Sequence, residues 1–135
     1  MSDYLSRYQC CDLYLDTLPY NAGTTASDAL WAGLPLLTCR GHALAARMGA
    51  SLLQALDLPE LITESLADYE RMAITLAQQP QRLAELRARL QANRDSARLF
   101  DTRRFTRSLE QAYTRMQQRR LAGESPQRVR VSGQD

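Results

Sequence analysis

The sequence predicts an α/β fold in which a few short parallel strands are followed by several α-helices. Three observations carry this. Residues 13–56 read as strand, glycine-containing loop, helix, strand and helix, the order of a βαβ unit. The two strand candidates are short, unbroken apolar runs bounded by turn residues, the pattern of strands buried on both faces. From Leu66 onward apolar residues recur at intervals of three and four, the helical period. Two or three short strands cannot complete a parallel sheet, which needs cover on both faces. The front half is therefore expected to pair with something or to be one end of a larger domain.

Taken in order, residues 4–11 read as a short helix, and Leu13 to Leu15 as a buried strand ending in Asp16-Thr17. Leu18-Pro19-Tyr20-Asn21-Ala22-Gly23 is a loop, because Pro and Gly interrupt both regular structures. Thr24 to Ala32 is a helix, with Thr25 as N-cap, Asp28 in capping-box position and Gly33 as the stop. Leu30 and Trp31 are expected on its inner, core-facing side. Pro35 to Cys39 is the second strand. Arg40-Gly41 turns the chain into a helix over His42 to Leu56, and Leu61-Ile62-Thr63 leaves room for one very short strand. Ser65 and Asp68 form a capping-box pair ahead of the stripe Leu66, Tyr69, Met72, Ala73 and Leu76. Pro80 opens the next helix, with Leu83, Leu86 and Leu90 on one face. Asp101 caps the last, whose stripe is Phe105, Leu109, Ala112, Tyr113 and Met116. The resulting division is a domain over residues 1–120 and a flexible tail over 121–135, where periodicity is lost.

Composition bounds the function classes. The 135 residues are 44% hydrophobic and 24% charged, an ordinary globular balance. No apolar run approaches the ~18 residues of a membrane span, and residues 1–8 show no secretory pattern. Three cysteines, Cys10, Cys11 and Cys39, are too few and oddly placed for a disulfide scaffold or zinc cluster. They read as small buried hydrophobes of a cytoplasmic protein. A single histidine, His42, excludes any mechanism needing two within this chain. Every basic residue is arginine: 8 against 11 carboxylates over residues 1–97, but 9 against 3 over residues 98–130. No aromatic interleaving accompanies that basic end, so a solvated helix face is preferred to a nucleic-acid or membrane surface.

The chemistry concentrates at Asn21-Ala22-Gly23-Thr24-Thr25. A loop feeding a helix N-terminus offers unpaired N–H groups and the positive end of the helix dipole, which favour a phosphate. Gly23 lets the backbone approach closely, Thr24 and Thr25 add hydroxyl donors, and Asp28 can accept hydrogen bonds from a ribose. The competing account is that Thr25 and Asp28 only cap the helix.

The longer string Asp12-Leu13-Tyr14-Leu15-Asp16-Thr17-Leu18-Pro19-Tyr20-Asn21-Ala22-Gly23-Thr24-Thr25, followed by Ser27-Asp28-Ala29-Leu30-Trp31-Ala32-Gly33-Leu34-Pro35, resembles the protein O-linked N-acetylglucosamine transferases. It is especially similar to the bacterial members with tetratricopeptide repeats. The likeness continues through Gly41, Ala45-Ala46-Arg47, Ser51-Leu52-Leu53 and Leu99-Phe100-Asp101-Thr102. The resemblance implies the C-terminal half of the second Rossmann-like domain of a GT-B glycosyltransferase, which holds UDP-N-acetylglucosamine without a metal ion. Thr24 and Thr25 would then meet the diphosphate, Asp28 the uridine ribose and Arg7 the uracil. Tyr4 stands where the family usually has a histidine, and its ring would stack on uracil. Gly23 stands where the family often has another histidine, leaving a backbone N–H in place of a side-chain donor.

The family's first Rossmann-like domain, catalytic histidine, phosphate-binding lysine and peptide-binding repeats would all precede Met1. His42 lies in a different motif and lysine is absent. No catalytic residue is therefore assigned within the chain, which is expected to be inactive alone. The implied partners are a UDP-sugar, a protein acceptor and a separate N-terminal catalytic part. The alternative is a non-catalytic nucleotide-binding or helical interaction module left from such an enzyme.

Overall fold

Four consecutive buried residues, Leu36, Leu37, Thr38 and Cys39, form the middle strand of a three-stranded sheet in this computed structural model, which describes residues 2–131. Helix α1 (Ser2–Ser6) runs into a 3-10 turn (Arg7–Cys10) and leads to β1 (Tyr14–Leu15). Then come α2 (Thr24–Trp31), β2 (Leu36–Cys39), a 3-10 turn (Leu44–Arg47) and α3 (Met48–Ala55). A further 3-10 turn (Pro59–Leu61), β3 (Ile62–Thr63), α4 (Leu66–Gln78), α5 (Pro80–Arg94) and α6 (Thr102–Leu121) complete the order. The sheet order is β1-β2-β3 and both pairings are parallel, with Tyr14 opposite Leu36 and Thr38 opposite Ile62. The expected α/β class, its parallel strands and its helix-rich second half are all present.

The core is built mainly from leucine. Leu30 of α2, Leu36 and Leu37 of β2, Leu53 of α3, Leu76 of α4 and Leu90 of α5 are each at most 1% exposed. Helices α2, α3 and α4 all pack on β2, which is why that strand has no polar face. The caps read at α4 and α6, and the stop of α2, are made. The Ser65 hydroxyl accepts from Asp68 N at 3.1 Å and donates to Asp68 Oδ2 at 2.6 Å. That bond, and then Arg71, hold the Asp68 carboxyl below its usual range. Asp101 Oδ1 accepts from Arg104 N at 2.9 Å, and Gly33 ends α2 with φ +86°.

Several expectations are corrected. Leu15 is 52% exposed, because β1 is an edge strand with a neighbour on one side only. Trp31 is 46% exposed: it is the last residue of α2, and the Arg94 guanidinium lies 5.1 Å from its ring centre. The helix expected from His42 begins later, as a 3-10 turn at Leu44. Gly41 N donates to Ala46 O at 2.8 Å, which folds residues 41–46 into a loop. Cys10 and Cys11 are exposed; Cys39 alone is buried. No residue of α6 is buried, so its apolar stripe faces outward from that helix.

The chain divides into two compact units, one up to Leu99 and one from Phe100. In the second, Arg119 pairs with Glu124 at 2.9 Å and Arg115 Nη1 donates to Arg130 O at 2.5 Å. The last part of the expected tail, residues 132–135, lies outside the described residues. No helix among the described residues is long and apolar enough to cross a membrane.

An edge strand with exposed Leu15, Leu18 and Tyr20 close by in sequence is a template for intermolecular pairing. The chain by itself should therefore sediment above its 15.3 kDa mass, and Leu15→Lys should shift it toward monomer. A compact monomer with a sharp cooperative melt would contradict this.

Candidate functional site

Strand β1 runs into the loop 16–23 at its carboxyl end, and one buried carboxylate organises that loop. Asp16 is 5% exposed. Its Oδ1 accepts from Thr17 N at 2.9 Å and from Ala22 N at 2.8 Å, and its Oδ2 accepts from Thr38 Oγ1 at 2.6 Å. The first bond turns the chain out of the strand, the second closes the loop, and the third ties both to β2. Tyr69 of α4 donates to Asp16 O at 2.9 Å. Burial first, and then the neighbouring Asp16 and Cys39, raise the Tyr69 phenol above its ordinary value, so it stays protonated as a donor. Asn21, 1% exposed, donates through Nδ2 to Thr17 O at 3.0 Å and through its backbone N to Ala45 O at 3.0 Å. Gly49 of α3 closes against this cluster. A Cβ there would lie 2.4 Å from Asp16 Oδ2 and 2.7 Å from Thr38 Oγ1.

The loop delivers Gly23 as the N-cap of α2. Glycine has no side chain with which to cap, and the first-turn N–H groups receive no side-chain acceptor. Thr25 was expected as N-cap and Asp28 as its capping-box partner; neither takes that part. The helix starts at Thr24, as expected, but its N-cap is Gly23, two residues before Thr25, which places Thr25 inside the first turn. Thr25 Oγ1 instead accepts from Tyr14 Oη at 3.2 Å, and Thr25 O accepts from Tyr8 Oη at 3.3 Å. Thr24 and Thr25 are exposed and Asp28 is half-buried one turn further on. At Gly23 a Cβ would meet only Met48 Cγ, at 3.9 Å. The space there does not itself demand glycine.

Tyr4 lies on α1 with its hydroxyl 2.8 Å from that of Tyr8, the two rings edge to face at 5.6 Å. Tyr8 in turn approaches Tyr14 at 6.5 Å. Burial raises the Tyr8 phenol far above its ordinary value, helped by the Tyr4 bond and by the neighbouring Tyr4, Tyr14 and Asp28. It therefore remains a neutral donor. Through Tyr8 the structure brings Tyr4, Thr25 and Asp28 into one neighbourhood. Arg7 opens the 3-10 turn beside it, exposed and without an ion pair among the described residues. His42 is exposed. Arg47 is exposed and has no carboxylate partner among the described residues.

Tyr8, Tyr14, Asp16, Thr38 and Gly49 were not singled out from the sequence. Tyr4 and Tyr8 sit four apart on one helical face, and Asp16 is a carboxylate directly ending an apolar run. Those were the available signals; the partners of Asp16 and Gly49 had none.

A helix N-terminus at the carboxyl end of parallel strands is where open α/β domains bind their ligands. The fold is that of part of a GT-B glycosyltransferase. It matches a mutant O-GlcNAc transferase of Thermobaculum terrenum with a TM-score of 0.79 and 39% identity, over 86% of this chain and 22% of that one. The chain belongs to glycosyltransferase family 41, whose model matches residues 2–109. It is 36% identical over 135 residues to the probable UDP-N-acetylglucosamine–peptide N-acetylglucosaminyltransferase SEC of Arabidopsis thaliana. It is 34% identical over 121 residues to the UDP-N-acetylglucosamine–peptide N-acetylglucosaminyltransferase of Caenorhabditis elegans. These alignments cover 99% and 90% of this chain, but the chain spans only 14% and 10% of those proteins.

Proposed function

We propose that the protein carrying this sequence transfers N-acetylglucosamine from UDP-N-acetylglucosamine to Ser or Thr hydroxyls of proteins, and that this segment holds the UDP. The N–H groups of Gly23 and the first turn of α2, with the hydroxyls of Thr24 and Thr25, receive the diphosphate. Asp28 accepts from the ribose, and Arg7 and Tyr4 flank the uracil. In the transfer an acceptor oxygen bonds to the anomeric carbon, the bond to the phosphate oxygen breaks, and its electron pair leaves with UDP. The acceptor proton passes to a base, a role assigned to no residue of this segment. Charge growing on the leaving diphosphate is met by fixed N–H and O–H donors, where stabilisation specific to the transition state is largest. The reading needs no metal ion. It places the protein in the cytoplasm, in keeping with free cysteines throughout.

One observation supports this most: in a chain of family 41, the first turn of α2 carries two exposed threonines that no capping duty occupies. The same observation sharpens the test. Thr25→Ala should weaken UDP binding about tenfold or more, the worth of a hydrogen bond to a charged group. Asp28→Asn should weaken UDP while leaving pyrophosphate unaffected. Neither should cost the ~0.5–2 kcal/mol of a lost N-cap. Calorimetric binding and melting on the same samples check this; lost stability with unchanged affinity would remove both residues from the site. The exposed stripe on α6, Phe105, Leu109, Tyr113 and Met116, favours a second reading as a helical interaction module without catalysis. Retained partner binding with no UDP affinity would support it.

A further inference from the structure

Tyr14 belongs to β1, and the ladder with β2 ties the backbone at Tyr14 and at Asp16. Tyr14 N donates to Pro35 O at 2.8 Å and Asp16 N to Leu37 O at 3.0 Å. Its phenol oxygen thus hangs from a fixed strand by a side chain with two rotatable bonds, 3.2 Å from Thr25 Oγ1. A phenol is a stronger acid than an aliphatic alcohol, so in this pair the phenol gives the proton and the threonine accepts it. The threonine's own proton must then point elsewhere, and among the described residues no other side chain engages it. Left alone, a first-turn threonine hydroxyl turns back toward a nearby backbone carbonyl. Among the described residues Thr25 makes no such back-bond, and a hydroxyl that accepts one hydrogen bond donates the next more strongly.

We propose that Tyr14 is a positioning residue: by donating to Thr25 Oγ1 it sets the threonine hydroxyl as a donor to an anionic oxygen of the diphosphate class at the start of α2. The proposal rests on the reading of Thr25 as a diphosphate ligand. It adds that recognition of the anion depends on a tyrosine of the neighbouring strand. Tyr8 plays a separate part, holding the same turn through the Thr25 carbonyl.

The test compares Tyr14→Phe, Thr25→Ala and the double variant in the protein carrying this sequence. UDP and uridine serve as ligands, and melts are recorded on the same samples. Tyr14→Phe removes one oxygen and keeps the ring against Tyr8. It should weaken UDP about three- to tenfold. Uridine affinity and the melting midpoint should not move. In the Thr25→Ala background the same change should have no further effect on UDP. An equal loss for UDP and uridine, or a loss that persists without the threonine hydroxyl, overturns the proposal. If Thr25→Ala weakens UDP and Tyr14→Phe does not, the proposal falls while the diphosphate reading stands. If the wild-type protein does not bind UDP, or Thr25→Ala is without effect, that reading falls and takes the proposal with it.

Discussion

Gly49→Ala should cost about 3 kcal/mol or more of stability, the largest loss expected from adding a single methyl group to this chain. The added carbon would lie 2.4 Å from Asp16 Oδ2, 2.7 Å from Thr38 Oγ1 and 3.0 Å from Thr38 Cβ. None of these atoms is the free end of a flexible chain. Thr38 is fully buried on the central strand, and the Asp16 carboxylate is pinned by three hydrogen bonds. The conflict can be relieved in two ways. Asp16 swings away and leaves its donors unpaired, or α3 lifts from the sheet and opens a void beside Leu53. Both are expensive. The shift in denaturant midpoint measures the loss; a change under about 1 kcal/mol would show that the loop relaxes freely.

Asp16→Ala should be comparably severe, about 3–5 kcal/mol, for a complementary reason. Removing the carboxylate leaves Thr17 N, Ala22 N and the Thr38 hydroxyl without their acceptor in a buried place. Asp16→Asn should cost much less. Its amide oxygen still accepts from the two N–H groups, and its NH2 can donate to Thr38 Oγ1 once that hydroxyl turns its proton away. Because Asp16 and Thr38 act as one unit, Thr38→Val combined with Asp16→Ala should be less harmful than the two losses summed. Simple additivity in that cycle would dissolve the unit. On the proposed function, Asp16→Ala should also weaken UDP, since it releases Ala22, which leads directly into Gly23 and the start of α2.

Features set by neighbours within a few residues were legible from the sequence. Ser65 with Asp68, Asp101 at the head of α6 and Gly33 at the end of α2 each do what their spacing predicts. A cap needs only the three residues that follow it. The β2 run was legible because a strand covered on both faces has no polar alternation to hide it. Local rules failed where two of them competed. Gly23 and Thr25 are both acceptable N-caps, and the choice went to Gly23, one residue before the helix begins. Trp31 and Leu15 failed differently. Each is apolar in an apolar context, and exposure depends on what lies opposite, which no window of sequence contains.

By itself, then, the sequence determined the α/β class, the order of elements and membership of family 41, all of which rest on local periodicity or on a contiguous motif. Tertiary structure alone decided the site's working parts. Thr25 is held by a tyrosine eleven residues upstream, and Asp16 by a threonine twenty-two residues downstream. Gly49 is required to be glycine only because both of those last two side chains arrive beneath it. The physical reason is common to all three. A hydrogen bond or a steric contact is fixed by distances of about 3 Å in space. Parallel pairing of β1 with β2, across the helix between them, makes distant residues neighbours without leaving any mark on either residue's own surroundings in the chain.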